Sequence, residues 1–121
     1  MTTLIVGASG ATGKLLVEQL LVIEQKIKII VRPASNIPDS WKNNNNITII
    51  YANISKISVE EMSGYIKDCH AAASCLGHNL TLKGLYGHPR RLVTDAVNLI
   101  HEAIKMNTLA KPIKFVLMNT A

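Results

Sequence analysis

Aromatic residues are scarce in this sequence: they make up 4% of its 121 residues, although 48% are hydrophobic. The core must therefore be built from Ile, Val, Leu and Ala, and few rings are available to stack on the bases of a nucleic acid. The 13 Lys and Arg outnumber the 8 Asp and Glu, but they are scattered, and Arg90-Arg91 is the only adjacent pair. The net charge of +5 thus does not indicate a specific nucleic-acid partner.

Cysteine and long apolar runs are equally sparse. Cys69 and Cys75 occur without a secretory signal, so we expect a reducing, cytoplasmic environment and no disulfide scaffold. They do not share a metal site with His70 and His78, because about 20 Å would separate the two cysteines on an extended strand. No run approaches the roughly 20 apolar residues of a membrane span. The sequence predicts a globular chain that has no metal site and does not span a membrane.

Short β-branched runs alternate with longer segments of helical period, a pattern typical of a parallel α/β sheet. The predicted strands cover residues 3–6, 27–31, 47–51, 71–76 and 114–118. Helices are predicted after Gly13, from Ser58 to about Lys67, where Ser and Glu have capping-box spacing, and from Pro89. Residues 34–46, with their four consecutive asparagines, are expected to form a solvated loop.

The fold class that follows is α/β: a three-layer Rossmann-type parallel sheet with the strand order 3-2-1-4-5. Residues 1–121 are interpreted as one domain. Ligands of such sheets bind at the carboxyl ends of the strands, and this sequence stops soon after the fifth strand reaches that edge. We therefore expect a truncated sheet, the N-terminal fragment of a longer protein.

Residues 7–13 read Gly-Ala-Ser-Gly-Ala-Thr-Gly, directly between a predicted strand and a predicted helix. Backbone N–H groups at a helix N-terminus attract phosphate, and a side chain at Gly7 or Gly10 would obstruct its approach. Gly13 would let the helix pack closely on the sheet. The loop is not a P-loop, because the Gly-Lys-Ser/Thr order is missing. The motif predicts a phosphate or dinucleotide, and a tight turn without a ligand is the alternative.

The end of the second strand decides which dinucleotide is expected. An acidic residue there would bind a ribose 2′-hydroxyl, whereas a basic residue would pair with a 2′-phosphate. The sequence has Arg32 at this place, and the next carboxylate is Asp39. It therefore predicts NADP(H) in preference to NAD(H), the alternative being that Arg32 is an ordinary solvated arginine.

These motifs resemble the short-chain dehydrogenase/reductase superfamily, most closely its extended and atypical members, which include the NmrA-like NAD(P)-binding group. The resemblance covers the whole chain and rests on residues 6–13, 31–33, 75–77, 89–96 and 115–118. It implies a cofactor site whose members are Gly7, Ser9, Gly10, Ala11, Thr12 and Gly13 around the pyrophosphate, Arg32 at the 2′-phosphate, Asn53 and Ile54 near the adenine, Ser74, Cys75, Leu76 and Gly77 beside the riboses, and His78 near the nicotinamide.

The same resemblance implies catalysis by a Tyr and a Lys four residues later, with a Ser or Thr after the fifth strand. This sequence contains no Tyr-x-x-x-Lys, and only Thr120 matches the hydroxyl position. Cys75 and His78 could form a nucleophilic pair, but no third group that would orient them is evident. This chain alone is not expected to turn over a substrate.

Two functions remain open from the sequence. The leading one is the NADP(H)-binding part of an atypical short-chain reductase or epimerase-like oxidoreductase acting on a small molecule that the sequence does not specify. The alternative is an NmrA-like, redox-sensing regulatory protein that binds the dinucleotide without catalysis. A homodimer through the helix from Pro89 is a further prediction, although packing on the sheet explains its apolar stripe equally well.

Overall fold

The computed structural model describes residues 2–8, 10–33, 36–75, 89–106 and 113–117. The strands are β1 (Thr2–Val6), β2 (Lys26–Val31), β3 (Ile47–Tyr51), β4 (Ala71–Ser74) and β5 (Lys114–Leu117). The helices are α1 (Ala11–Val22), α2 (Asp39–Lys42), α3 (Val59–Ile66) and α4 (Pro89–Met106), and a 3₁₀ turn covers Ile54–Lys56. No helix among the described residues is both long and apolar enough to cross a membrane.

The five strands form one parallel sheet in the order β3-β2-β1-β4-β5, which confirms the predicted fold class. β1 lies at the centre, where Val6 is level with Ile30 of β2 on one side and with Ser74 of β4 on the other. The chain moves outward from β1 to β3 and then returns to the other side for β4 and β5. This reversal places a topological switch point between β1 and β4.

Alternating side chains divide the core into two clusters, one on each face of the sheet. The face that we call the α1 face contains Ile5, Ile27, Ile29, Val31 and Ala73 together with Val17 of α1 and Trp41 of α2. The face that we call the α3 face contains Leu4, Val6, Ile30 and Ala72 together with Met62 and Ile66 of α3 and Ile100 and Ala103 of α4. Aliphatic and alanine side chains make up most of both clusters, as the shortage of aromatics predicts, and Trp41 is the one aromatic ring among the buried residues that the structure describes.

The predicted capping box starts α3. The Ser58 hydroxyl accepts a hydrogen bond from the Glu61 backbone N–H at 3.1 Å, and the Glu61 carboxylate accepts one from the Ser58 N–H at 3.3 Å. Two of the N–H groups that have no partner inside the helix are thereby satisfied. Side chains of the protein therefore cap the N-terminus of α3.

A lysine of the sheet donates a hydrogen bond to the C-terminal turn of α3. The Lys28 ammonium, on a side chain only 15% exposed, donates to the Tyr65 carbonyl oxygen and contacts the Asp68 carboxylate, both at 2.8 Å. Asp68 is 72% exposed, so solvent screens this ion pair and it contributes little. The bond to the last-turn carbonyl is the more important one, because a cation there also interacts favourably with the helix dipole.

The structure corrects the predicted loop between the second and third strands. Asp39–Lys42 form one turn of helix, and Trp41 is buried in the α1-face cluster together with Ile37. The asparagine tract does form a turn, in which Asn44 Oδ1 accepts from the Asn46 N–H at 2.8 Å. The fourth strand is also shorter than predicted, because it ends at Ser74 rather than at residue 76.

Gly64 lies on the exposed side of α3, where an added methyl group would meet no atom of the described residues within 4 Å. We expect Gly64→Ala to raise the free energy of unfolding by about 1 kcal/mol, because alanine loses less backbone entropy in a helix. Urea denaturation followed by circular dichroism measures the change. An unchanged or lowered midpoint would contradict the placement of Gly64 on an open helix face.

Candidate functional site

The carboxyl ends of β1 and β4 meet at the switch point of the sheet. Beyond the last strand residues, the Cys75 backbone N–H donates to the Val6 carbonyl oxygen at 2.8 Å, so Gly7 and Cys75 follow their strands side by side. In open α/β sheets ligands bind in the crevice at this point. The glycine loop predicted from the sequence therefore lies where the topology favours a ligand.

The glycine loop turns β1 directly into α1. Gly7 has φ 78°, in the left-handed region, and its carbonyl oxygen accepts a hydrogen bond from the Gly10 N–H at 3.2 Å. Gly10 is the N-cap of α1 and has no side chain with which to cap it, and the first turn contains no acidic residue. The N–H groups of Ala11, Thr12 and Gly13 therefore form the positive end of the helix dipole, and no carboxylate in the first turn neutralises it.

The glycines of this loop have different structural reasons. A Cβ on Gly13 would lie 2.1 Å from the Gly7 carbonyl oxygen and 2.6 Å from the Ala8 Cα, so no other residue fits. The sequence predicted close packing on the sheet; the close contacts of Gly13 are instead with the backbone of the loop, at Gly7 and Ala8. Among the described residues, a Cβ on Gly10 would meet only the Gly7 oxygen, at an ordinary 3.6 Å. Packing within this part of the chain therefore does not require glycine at position 10, whereas the close approach of a phosphate would.

Arg32, Asn53 and Ile54 follow the neighbouring strands at the same edge. Arg32 comes directly after β2 and is half-buried. Asn53 caps the 3₁₀ turn, because its Oδ1 accepts from the Ser55 N–H at 3.1 Å and from the Ser55 hydroxyl at 2.8 Å. Only the amide NH₂ group of Asn53 is then left for an adenine. Ile54 packs partly against the α3-face cluster.

Ser74 is the last residue of β4 and Cys75 follows it, and the alternation of side chains places the two on opposite faces of the sheet. Ser74 is fully buried, and its hydroxyl has no hydrogen-bond partner in the part of the chain that the structure describes. Cys75 is packed in the α1-face cluster, and burial raises the pKa of its thiol above the ordinary value. A thiol that stays protonated at neutral pH is a poor nucleophile, which argues against the pairing of Cys75 with His78.

Other predicted site residues lie outside the described part of the chain, namely Ser9, Leu76, Gly77, His78 and Thr120. Within it, no three His, Cys, Asp or Glu side chains come together as a metal site would require. Cys69 and Cys75 are not joined by a disulfide and lie in different clusters, one on each face of the sheet. The sheet separates them.

The contacts of Gly13 and Gly10 lead us to expect different effects on stability when each glycine is replaced by alanine. We expect Gly13→Ala to lower the free energy of unfolding by about 3 kcal/mol or more, because the methyl group overlaps backbone atoms that cannot move aside. Gly10→Ala, the matched control, meets only ordinary contacts and is expected to change stability by less than about 0.5 kcal/mol. Thermal unfolding of both variants checks this, and equal melting temperatures would contradict the assignment.

Comparison with known proteins agrees with this geometry. A family model described as NAD(P)H-binding matches residues 7–120, whereas no curated protein sequence matches the chain. Among solved structures, the oxidoreductase ylbE from Lactococcus lactis is 20% identical with a TM-score of 0.71, over 97% of this chain and 47% of that one.

Two further structures contain cofactors. The dTDP-glucose 4,6-dehydratase from Bacillus anthracis, in complex with NAD, is 18% identical with a TM-score of 0.73, over 97% of this chain and 36% of that one. The yeast methylglyoxal/isovaleraldehyde reductase Gre2, complexed with NADPH, is 20% identical with a TM-score of 0.71, over the same two shares.

The chain thus spans less than half the length of these three structures, and at such identities the likeness shows the fold. The predicted resemblance is confirmed for the fold and for an NAD(P)H-binding domain. The family match covers residues 7–120, from the glycine loop to beyond β5, and the chain belongs to the NAD(P)H-binding family.

Proposed function

We propose that this chain binds NADP(H) and forms the dinucleotide-binding domain of a longer, atypical short-chain oxidoreductase. One observation carries the proposal: α1 begins at the switch point of the sheet, and no side chain of the described residues caps its N-terminus. The N-cap residue is Gly10, a glycine that the packing of the described residues does not require. A pyrophosphate supplies the negative charge and the acceptor oxygens that this N-terminus lacks. The donor set and the space at Gly10 both fit the cofactor.

The first turn of α1 binds the pyrophosphate in this proposal. The N–H groups of Ala11, Thr12 and Gly13 donate to phosphate oxygens, and Gly10 lets the phosphate come close to the backbone. Ser9, in the same loop, belongs to the same set of proposed contacts. These groups are common to recognition of NAD(H) and NADP(H), so they supply affinity and do not discriminate between the two cofactors.

Arg32 supplies the discrimination. It follows β2, the strand next to the glycine loop, where a ribose 2′-phosphate would meet a guanidinium that can donate two parallel hydrogen bonds. Structures of this fold contain either NAD or NADPH, so the fold accommodates both. In this proposal Arg32 decides between them. Asn53 and Ile54 are proposed as contacts of the adenine. Ser74, Cys75, Leu76 and Gly77 are proposed as contacts of the riboses, and His78 as a contact of the nicotinamide.

The bound cofactor supplies hydride transfer, and the residues of this chain bind and orient it. The sequence contains no Tyr-x-x-x-Lys pair, and the buried Cys75 thiol, with its raised pKa, is a poor nucleophile. We propose Thr120 as the catalytic hydroxyl that this segment contributes. The substrate, a homodimer and a cytoplasmic location stay predictions.

A regulatory protein that binds the dinucleotide without reducing anything is the second candidate. The missing Tyr-Lys pair favours it, because in that case the site would sense the cofactor through binding alone. The test is NADPH oxidation by the full-length protein with small carbonyl compounds and quinones. Turnover of any of them would contradict the regulatory function, and a full-length protein that binds NADPH but oxidises none would support it.

Arg32→Ala tests the cofactor preference. We expect NADPH to bind the wild-type chain more tightly than NADH, and the variant to lose roughly tenfold or more in NADPH affinity, because a charge-assisted bond contributes about 1.5–3 kcal/mol. NADH affinity should stay the same. Isothermal titration calorimetry measures both, with Lys67→Ala as a control that removes an exposed charge after α3. Equal binding of the two cofactors by the wild type would contradict the assignment.

Gly10→Ala tests the phosphate contact. Because a methyl group at this position occupies the side from which the pyrophosphate approaches, we expect NADPH and NADH to lose affinity together, by about tenfold or more. The melting temperature of the free chain should not change. Unaltered affinity for both cofactors in this variant would show that the glycine loop is only a turn.

A further inference from the structure

A hydrogen bond joins α1 and α2, which both pack on the α1 face of the sheet. The Trp41 indole Nε1–H of α2 donates to the Glu18 carboxylate oxygen Oε1 of α1 at 2.7 Å. Trp41 is the only tryptophan of the chain and is 1% exposed. Glu18 is an otherwise exposed residue of α1. A short, charge-assisted bond of this kind is stronger than a bond between neutral groups.

Trp41 packs in the same core cluster as residues on either side of Arg32. β2 ends at Val31, Arg32 follows at once, and the chain enters α2 at Asp39. Val31, Ile37 and Trp41 are all buried in the same α1-face cluster, so the chain is packed in this cluster both before and after Arg32. α2 is a single turn whose only buried side chain is Trp41, and so short a helix depends on tertiary contacts for its position.

α1 does not depend on the same bond. Val17 is fully buried in the α1-face cluster, and Leu16, Leu20 and Leu21 pack against that cluster along the helix. Loss of the Glu18 carboxylate would therefore leave α1, and the phosphate-binding N–H groups at its start, in place. The same loss would remove from α2 the polar contact that fixes the indole against α1. The consequences fall on the Arg32 side of the site.

We propose that Glu18 and Trp41 are positioning residues that hold Arg32 for a ribose 2′-phosphate, so that this pair sets the preference for NADP(H) over NAD(H). The inference rests on the proposed function, because it assumes that Arg32 binds that phosphate. Neither residue touches the cofactor. Their effect is confined to the cofactor that carries a 2′-phosphate, since only this cofactor uses Arg32.

The ratio of NADPH to NADH affinity tests the proposal. Calorimetric titration of the 121-residue chain is carried out with the wild type, Glu18→Ala and Trp41→Phe, which keeps a ring but lacks the N–H donor. We expect both variants to lower the ratio by about three- to tenfold, the worth of one hydrogen bond, with NADH affinity unchanged. Glu18→Gln retains an oxygen that accepts from the indole and should keep most of the wild-type ratio.

A double variant and a surface control complete the design. Glu18→Ala combined with Trp41→Phe should lower the ratio no further than either change alone, because both remove the same bond. Gln19→Ala, an exposed change on the same helix, should leave the ratio unaltered. Urea denaturation of each variant confirms that it is folded, and Glu18→Ala alone decides the question if Trp41→Phe unfolds.

The outcomes separate this inference from the proposed function. If the wild-type chain binds neither cofactor, or both equally, the proposed function fails and this inference fails with it. If the wild type prefers NADPH and Glu18→Ala keeps the full preference, the positioning role is wrong and the proposed function stands. An equal loss of affinity for both cofactors in Glu18→Ala would show a general structural role and would also overturn the inference.

Discussion

The close approach of Gly13 to the backbone of Gly7 and Ala8 is the contact on which the site depends. Because position 13 has no Cβ, α1 begins directly below the carboxyl edge of the sheet rather than at the end of a longer loop. Val17 then reaches the core, while the first N–H groups of the helix follow the carboxyl end of β1, beside the switch point between β1 and β4. Packing and ligand binding are thus served by the same backbone geometry.

Two helices of the chain illustrate how a sequence can either close a helix N-terminus or leave it for a ligand. α3 begins with a capping box and carries Glu60 and Glu61 in its first turn, so its own side chains satisfy the N–H groups and complement the dipole. α1 begins at a glycine and has no acid in its first turn. The family match shows an NAD(P)H-binding domain, and the N-terminus of α1 at the switch point is the place that we propose for the phosphates.

Much of the fold could be predicted because its signals are local. Runs of Ile and Val mark the strands, the spacing of Ser58 and Glu61 marks a helix start, and glycines between a strand and a helix mark the loop. α2 was missed because a single turn rich in polar residues has no period of its own and depends on Trp41 packing against distant strands. The partner of Lys28 was equally hidden, since Asp68 lies 40 residues away along the chain.

The candidate site was only partly predictable for the same reason. The sequence could locate the glycine loop and Arg32, because both follow strands at one edge of a parallel sheet. It could not show that Gly13 is required by packing and Gly10 is not, since this depends on distances between backbone atoms. Nor could it show that Ser74 and Cys75 are buried on opposite faces, or that the Asn53 oxygen is already occupied by Ser55.

The most direct test of the account is a titration of the isotope-labelled chain with NADPH, followed by amide chemical shifts in nuclear magnetic resonance spectra. If the uncapped start of α1 binds the pyrophosphate, the largest shifts will belong to the N–H groups of Ala11, Thr12 and Gly13, while those at the capped start of α3 will stay in place. Shifts confined to other parts of the chain, or none at saturating cofactor, would contradict the account.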